Sequence, residues 1–232
     1  MEWIINSRDR DLEVEFQNDA YSKLENVFSA GVPSSEITIA EVLKDSGYYT
    51  AHIGKWHLGR VNGSHPNDQG FDDSLLMEGG LYLPENDQSV VNVKFDNPVD
   101  NMVWAGSQYS ASFNKGNTFT PGGYLTDYYT DEAIKVIMSN KNRPFFLYLA
   151  HWAVHNPLQA LKTDIDILHH HSTPHNLQVY SAMIKALDRS VGRILDTLQQ
   201  NGLSENTLII LTSDNGGASY IELSDINKPY RG

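Results

Sequence analysis

Five residues whose side chains suit acid–base, anion-binding or metal chemistry follow apolar runs in this sequence: Lys55, His57, His155, Asp214 and Asn215. Lysine supplies a fixed positive charge and histidine an exchangeable proton, and together they suit the binding of a tetrahedral oxyanion. A histidine at position 155 can protonate a leaving-group oxygen. Carboxylate and amide oxygens suit a hard divalent cation such as Ca²⁺ or Mg²⁺ better than zinc. Because ligands bind at the carboxyl ends of strands in open α/β sheets, the pattern predicts an anion and metal site there.

Each of these groups also has a simpler interpretation. Lys55 and His57 are two positions apart, which in a strand puts them on one face with Trp56 opposite, but a strand end in solvent tolerates both residues. His155 precedes Asn-Pro and can be a turn residue. Asp214 and Asn215 precede two glycines, which is good turn chemistry, and two ligands fall short of the six to eight oxygens that Ca²⁺ takes.

Helix-length patterns alternate with short apolar runs and predict an α/β fold with a mostly parallel or mixed central sheet flanked by helices. Thr38 and Glu41 form a capping-box pattern that predicts a helix ending near Lys44 or Asp45. A helix from Thr126 is expected to bury Ala133, Ile134, Ile137 and Met138, and one after Thr173-Pro174 to bury Tyr180, Ile184, Leu187, Val191, Ile194 and Leu198. Strands are predicted at 48–53, 145–150 and 207–212, the last two buried on both faces. Residues 60–120 are expected to form long loops with short strands.

Composition limits the classes of function. The chain has 232 residues, 40% of them hydrophobic, which suits one domain. Its net charge of -12 argues against nucleic acid or an anionic membrane as the main partner. Cysteine is absent, so these residues hold no disulfide, thiolate ligand or cysteine nucleophile. The sequence has no run of about 20 apolar residues, and Met1–Arg10 lacks the pattern of a signal peptide, which leaves localisation open.

Taken together, these residues resemble the type I sulfatases, the arylsulfatase branch of the alkaline-phosphatase-like superfamily. The segment from Tyr48 to Gly59, YYTAHIGKWHLG, is similar to the second signature of that family and is the most specific match. Further matching segments follow in the family's order: residues 38–43, 70–72, 124–127, 144–147, 155–159 and 212–216. The similarity runs from about residue 31 to the end and is weakest at residues 75–120.

The resemblance implies sulfate-ester hydrolysis, with a small organic or glycan sulfate as the substrate. It implies that Lys55 binds the sulfate, that His57 holds and polarises the nucleophile, and that His155 contacts the ester oxygen and assists its departure. Asp214 and Asn215 would hold Ca²⁺, with Mg²⁺ as an alternative. The family's nucleophile is a formylglycine made from a Cys or Ser in a Cys/Ser-x-Pro/Ala-x-Arg motif.

The sequence departs from the family pattern at its two ends. That nucleophile motif, a pair of N-terminal aspartate ligands, a second sulfate-binding lysine and a C-terminal subdomain have no counterparts in residues 1–232. We therefore interpret residues 1–232 as one fragment of a sulfatase-like catalytic domain, truncated at both ends. Because no group here can form the covalent intermediate, the 232-residue chain should be inactive or nearly so. Metal-dependent turnover of an aryl sulfate by this chain would contradict that prediction.

Two other functions stay open from the sequence. A phosphomonoester or phosphonate hydrolase is one, because phosphate and sulfate are both tetrahedral oxyanions. The other is a degenerate, non-catalytic sulfatase-like module that binds an anion or a protein. The residue at the nucleophile position separates them, since Cys favours a sulfatase and Thr or unmodified Ser favours phosphoryl chemistry.

Overall fold

The computed structural model of the chain describes residues 31–168, 173–217, 221–223 and 226–229. Its helices are α1 (Ile39–Asp45), α2 (Pro98–Gly106), α3 (Leu125–Asn140), α4 (Lys162–Leu168) and α5 (His175–Gln200), with 3₁₀ turns at Pro66–Asp68 and Ser204–Asn206. The strands are β1 (Tyr49–Gly54), β2 (Asp73–Met77), β3 (Val90–Val93), β4 (Ala111–Phe113), β5 (Thr118–Phe119), β6 (Phe145–Ala150) and β7 (Leu158–Leu161).

The main sheet has five strands in the order β5-β4-β2-β1-β6, and β3 pairs with β7 in a separate two-stranded sheet. β1 is parallel to both β2 and β6, whereas β4 is antiparallel to β2 and to β5. Gly54 lies opposite Leu76 on one side and Ala150 on the other. The carboxyl ends of β1, β2 and β6 therefore meet at one edge of a mixed sheet, as the fold class predicted.

The starts of α1 and α2 agree with the local sequence signals, whereas α3 and α5 begin without a side-chain cap. The Thr38 hydroxyl accepts from the Glu41 amide, and the Glu41 carboxylate accepts from the Thr38 amide, so the predicted capping box is present. The α2 helix was not predicted within 60–120, although it carries a recognisable signal. Asn97 caps it through the Asp100 amide, and Pro98 occupies its first turn, where a missing N–H costs little.

The predicted buried strand at 207–212 is wrong. Residues 207–213 have no regular secondary structure, and the side chains of Leu208, Ile210 and Leu211 are 86%, 77% and 76% exposed. The hydrophobic run indicated burial, but a strand also needs a pairing partner. In the described sheet β6 pairs only with β1, so β6 is an edge strand. The face of β6 that carries Tyr148 is not fully covered either, because this side chain is 44% exposed, contrary to the prediction that both faces of 145–150 are covered.

The three predicted helices, α1, α3 and α5, were placed correctly, but the buried faces of α3 and α5 differ from the prediction. In α3, Ala133 and Ile137 are buried as expected, whereas Met138 is exposed. In α5 the buried set is Val179, Ala182, Met183, Ala186, Ser190 and Leu198, one position earlier than most of the predicted face. Small residues allow α5 to pack closely on its neighbours. The same rotation lets Arg189 bind Asp127 of α3 and Asp164 of α4.

Candidate functional site

The site begins where β1 ends. Gly54 closes the strand with φ +111°, and a side chain there would collide with the carbonyl of Ala150. The Lys55 amide donates to that same carbonyl at 2.8 Å. Lys55 and His57 therefore lie beyond the strand, and the predicted alternation of faces does not apply to them. A close approach of backbone to backbone at Gly54 turns the chain out of the sheet.

Past this turn, the side chains of Lys55, Trp56 and His57 lie in different surroundings. Trp56 packs against the rings of His52 and Phe71, with its indole N–H donating to the Ser64 carbonyl at 2.9 Å. His57 is exposed. The Lys55 side chain is 21% exposed and reaches the side of the site that Asp214 occupies. Lys55 therefore lies at the carboxyl end of β1 within the site, whereas His57 is exposed to solvent.

Lys55 and Asp214 are brought together although 159 positions separate them. The Lys55 Nζ lies 3.4 Å from Asp214 Oδ2, and the Asp214 side chain is 64% exposed. Such an exposed ion pair contributes little to stability, about 0–1 kcal/mol. Its interest is positional, because a carboxylate and a fixed positive charge stand side by side at the carboxyl edge of the sheet.

His155 lies in the same neighbourhood. Its Nδ1 is 2.6 Å from the Asn156 carbonyl, which indicates a proton on Nδ1 and a free Nε2 in the neutral ring. Burial lowers the pKa of His155, the bond to Asn156 opposes this shift, and the charges of Lys55, Asp214 and His57 act on it as well. Four of the five predicted residues therefore interact electrostatically at one place.

The predicted metal site has only two of its ligands, Asp214 and Asn215, in the described part of the chain. Asn215 is exposed beside Asp214, and its amide nitrogen donates to the Gly216 carbonyl at 2.7 Å. Across residues 31–168 and the described segments after them, no three His, Asp or Glu side chains form a cluster that could hold a metal ion. Asp214 and Asn215 have the right donor chemistry for a hard cation, but by themselves they are too few.

A cleft of about 330 Å³ lies elsewhere, between the main sheet and α3. Tyr49 and Asp73, the first residues of β1 and β2, line it, and none of the five predicted residues does. The candidate site at the carboxyl ends of β1 and β6 therefore lies outside this cleft.

Two residues near the site were overlooked in the sequence. Trp152 stacks on His155 with ring centroids 3.8 Å apart, and Lys55 Nζ lies 5.2 Å from the Trp152 ring centroid. His52 holds the start of the Lys55 turn, because its Nε2 is 3.1 Å from the Lys55 carbonyl while its Nδ1 is 2.9 Å from the Ser74 hydroxyl. Each lies three positions before a predicted residue, Trp152 before His155 and His52 before Lys55, and this proximity in sequence was the available signal.

His52 should make the fold sensitive to acid. Burial lowers its pKa from 6.5 to about 4. Between these values the unfolded chain binds the proton and the folded chain does not, so the free energy of unfolding falls as pH decreases from 6.5 to 4. The shift corresponds to about 3 kcal/mol. Urea denaturation of His52→Asn from pH 7 to 4.5 should show a smaller loss of stability than the wild type.

The exposed His175 at the start of α5 provides the control, since His175→Asn should retain the wild-type pH dependence. Parallel stability curves for wild type and His52→Asn would show that His52 is not the acid-sensitive group.

Comparisons with known proteins show which proteins this chain resembles. The N-acetylgalactosamine-6-sulfatase of Canis lupus familiaris is 33% identical over 202 residues, which cover 86% of this chain and 36% of that protein. The uncharacterized sulfatase YdeN of Escherichia coli (strain K12) is 34% identical over 196 residues, covering 80% of this chain and 34% of that protein. The chain thus spans about a third of the length of these curated relatives.

A solved structure, Ps i-CgsB in complex with k-i-k-neocarrahexaose, matches with a TM-score of 0.62 at 30% identity, over 77% of this chain and 40% of that one. This likeness confirms the predicted alkaline-phosphatase-like fold class, a mixed sheet flanked by helices. A family model described as Sulfatase matches residues 9–229, nearly the whole sequence. A match of that extent, joined to the sulfatase fold and the identities above, leads to one conclusion: the chain belongs to the sulfatase family.

Proposed function

We propose that this site serves the hydrolysis of sulfate esters, with a carbohydrate or another organic sulfate as the substrate. The observation that carries the proposal is the convergence of the Lys55 ammonium, the Asp214 carboxylate and the His155 imidazole from three distant segments. This is a place where a tetrahedral anion can meet a positive charge and a proton donor together.

Lys55 is proposed to bind the sulfuryl oxygens. Its side chain is 21% exposed and ends at the carboxyl edge of the sheet, where its charge is less screened than that of a fully exposed lysine. Charge develops on the transferring group and on the leaving oxygen during cleavage. A fixed cation beside them stabilises the transition state without reorganisation.

His155 is proposed to assist the leaving group. With Nδ1 bonded to the Asn156 carbonyl, Nε2 is the nitrogen that can present a proton to an ester oxygen. Its lowered pKa keeps the ring mostly neutral near pH 7 in the free protein. A bound sulfate would favour the charged ring and so raise the pKa again.

His57 is proposed to hold and polarise the nucleophile. Sulfatases as a family imply a formylglycine, and the 232 residues contain no cysteine and no matching serine motif. The exposed position of His57 near His155 is compatible with a partner group arriving from outside the described residues.

Asp214 and Asn215 are proposed to hold a divalent cation, Ca²⁺ or else Mg²⁺. A free carboxylate beside the Lys55 ammonium would repel a bound sulfate. A cation held by Asp214 would offset that repulsion and polarise a sulfuryl oxygen. Since the described residues supply only these two donors, we expect weak affinity for the metal alone.

The proposed substrate class is supported by one relative and one solved structure. One relative is an N-acetylgalactosamine-6-sulfatase, and the solved structure with 30% identity is a complex with k-i-k-neocarrahexaose. The Asp214 side chain is 64% exposed, so a substrate larger than sulfate could approach this side of the site. Among the described helices none has the length and apolarity to cross a membrane.

A binding titration tests the proposal on the chain itself. With Ca²⁺ present, inorganic sulfate should bind the 232-residue protein in isothermal titration calorimetry, and sodium chloride at equal ionic strength should not. A longer form of the protein that also contains the formylglycine motif, called here a form that supplies the nucleophile, should then release sulfate from N-acetylgalactosamine 6-sulfate or 4-nitrophenyl sulfate. Faster turnover of 4-nitrophenyl phosphate would favour the phosphatase interpretation, and sulfate binding without any turnover would favour a non-catalytic module.

A further inference from the structure

Trp152 occupies a central place in the site that neither the motifs nor the proposed roles account for. Its indole stacks on the His155 ring at 3.8 Å between centroids and 22° between planes. The Lys55 ammonium lies 5.2 Å from the Trp152 centroid, within the range of a cation–π contact. One side chain therefore touches both residues that are proposed to contact the substrate.

The indole is itself held in place. Its Nε1 donates to the Gly80 carbonyl at 2.9 Å. A Cβ on Gly80 would lie 3.4 Å from Cζ2 of the Trp152 ring and 2.9 Å from the Ser107 hydroxyl, so a larger residue would crowd this seat. The ring is thereby fixed against the loop that follows β2.

The backbone from Trp152 to His155 is fixed as well. The buried hydroxyl of Tyr82 lies 3.0 Å from the Trp152 carbonyl and 2.9 Å from the His155 carbonyl, and the His155 amide donates to the Trp152 carbonyl at 2.9 Å. Burial raises the pKa of Tyr82, so this hydroxyl remains a donor. The stack therefore stands on a rigid turn.

We propose that Trp152 is a positioning residue, which holds the Lys55 ammonium and the His155 imidazole at the separation that a sulfate ester requires. The inference rests on the proposed function and deepens it. A long lysine side chain has many rotamers, and the π face of the indole selects among them. The stack restricts His155 to one ring orientation, with Nε2 available for the ester oxygen.

The test compares Trp152→Leu with Trp152→Phe, using inorganic sulfate as the binding probe and kcat and KM in a nucleophile-supplying form of the protein. Leu removes the π face, and we expect kcat to fall about tenfold with a smaller change in KM. Phe keeps a ring and should restore kcat to within about threefold of the wild type. Trp104→Leu is the matched control, since Lys94 Nζ lies 4.7 Å from the Trp104 ring outside the site.

Proton NMR of the 232-residue chain gives a readout that does not depend on turnover. The stacked indole should shift the His155 ring protons upfield, and Trp152→Leu should abolish that shift while Trp104→Leu preserves it. In the wild type, sulfate should move the Trp152 indole N–H and the His155 signals with one dissociation constant. This last measurement remains available if Trp152→Leu does not fold.

The outcomes separate this inference from the proposed function. Wild-type protein that neither binds sulfate nor hydrolyses sulfate esters would overturn the proposed function and the inference with it. Sulfate binding and hydrolysis that Trp152→Leu leaves unchanged would overturn the role of Trp152 alone. So would saturation with sulfate that leaves the Trp152 indole signal unmoved.

Discussion

Lys55→Ala is expected to lower kcat/KM for sulfate esters by at least ~10²-fold, the scale of a lost charge contact to the transition state. The measurement is the initial rate of sulfate release in a form of the protein that supplies the nucleophile. In the 232-residue chain the same substitution should abolish measurable binding of inorganic sulfate. The effect is large because Lys55 is the positively charged side chain that lies beside Asp214 in the proposed site.

Lys44→Ala is the matched control for this prediction. Lys44 is also a lysine paired with an aspartate, Asp72, at 2.8 Å, but it lies before β1 rather than after it. The two variants have the same change in net charge, so a field effect of the whole protein would weaken sulfate binding equally in both. A near-normal rate in Lys55→Ala would remove this residue from the site.

His155→Ala is expected to lower turnover of a carbohydrate sulfate by at least ~10²-fold, the scale of general acid catalysis. An alkoxide leaves poorly unless it is protonated. A 4-nitrophenolate leaves readily without a proton, so 4-nitrophenyl sulfate should be affected much less. The ratio of the two effects, measured as kcat/KM for each substrate, separates leaving-group assistance from general damage to the site.

The pH dependence provides a second check on His155. The role requires the charged ring, and burial lowers the pKa of His155 in the free protein. The wild-type kcat/KM for a carbohydrate sulfate should therefore fall as pH rises through that lowered value, and His155→Ala should lose this limb of the profile. Equal losses with both substrates, or an unchanged profile, would assign His155 a structural role instead.

Structural features that depend on interactions within a few residues were predictable from the sequence, and features that depend on distant residues were not. The capping box at Thr38, the strand that leads to Lys55 and the long helix before Gly202 were predictable, because each depends on hydrogen bonds and side-chain periodicity within a few residues. The five candidate residues were found in the same way, from residue types at the ends of apolar runs.

Errors arose where a distant partner decides the outcome. The run 207–212 has strand composition but no strand partner in the described sheet. The face of α5 is rotated because Ser190 and the alanines allow close packing and Arg189 binds two aspartates on other helices. Periodicity alone cannot register contacts between residues 25 or 62 positions apart.

The sequence by itself determined the family, the helices α1, α3 and α5, the strands β1 and β6, and the identity of the candidate polar residues, because motifs and local propensities are properties of short segments. The tertiary structure alone decided that Lys55 meets Asp214, that His57 points to solvent, and that Trp152 joins Lys55 to His155. The contact between Lys55 and Trp152 depends on the parallel pairing of β1 with β6 and on the turn at Gly54. Both depend on backbone contacts between segments about a hundred residues apart.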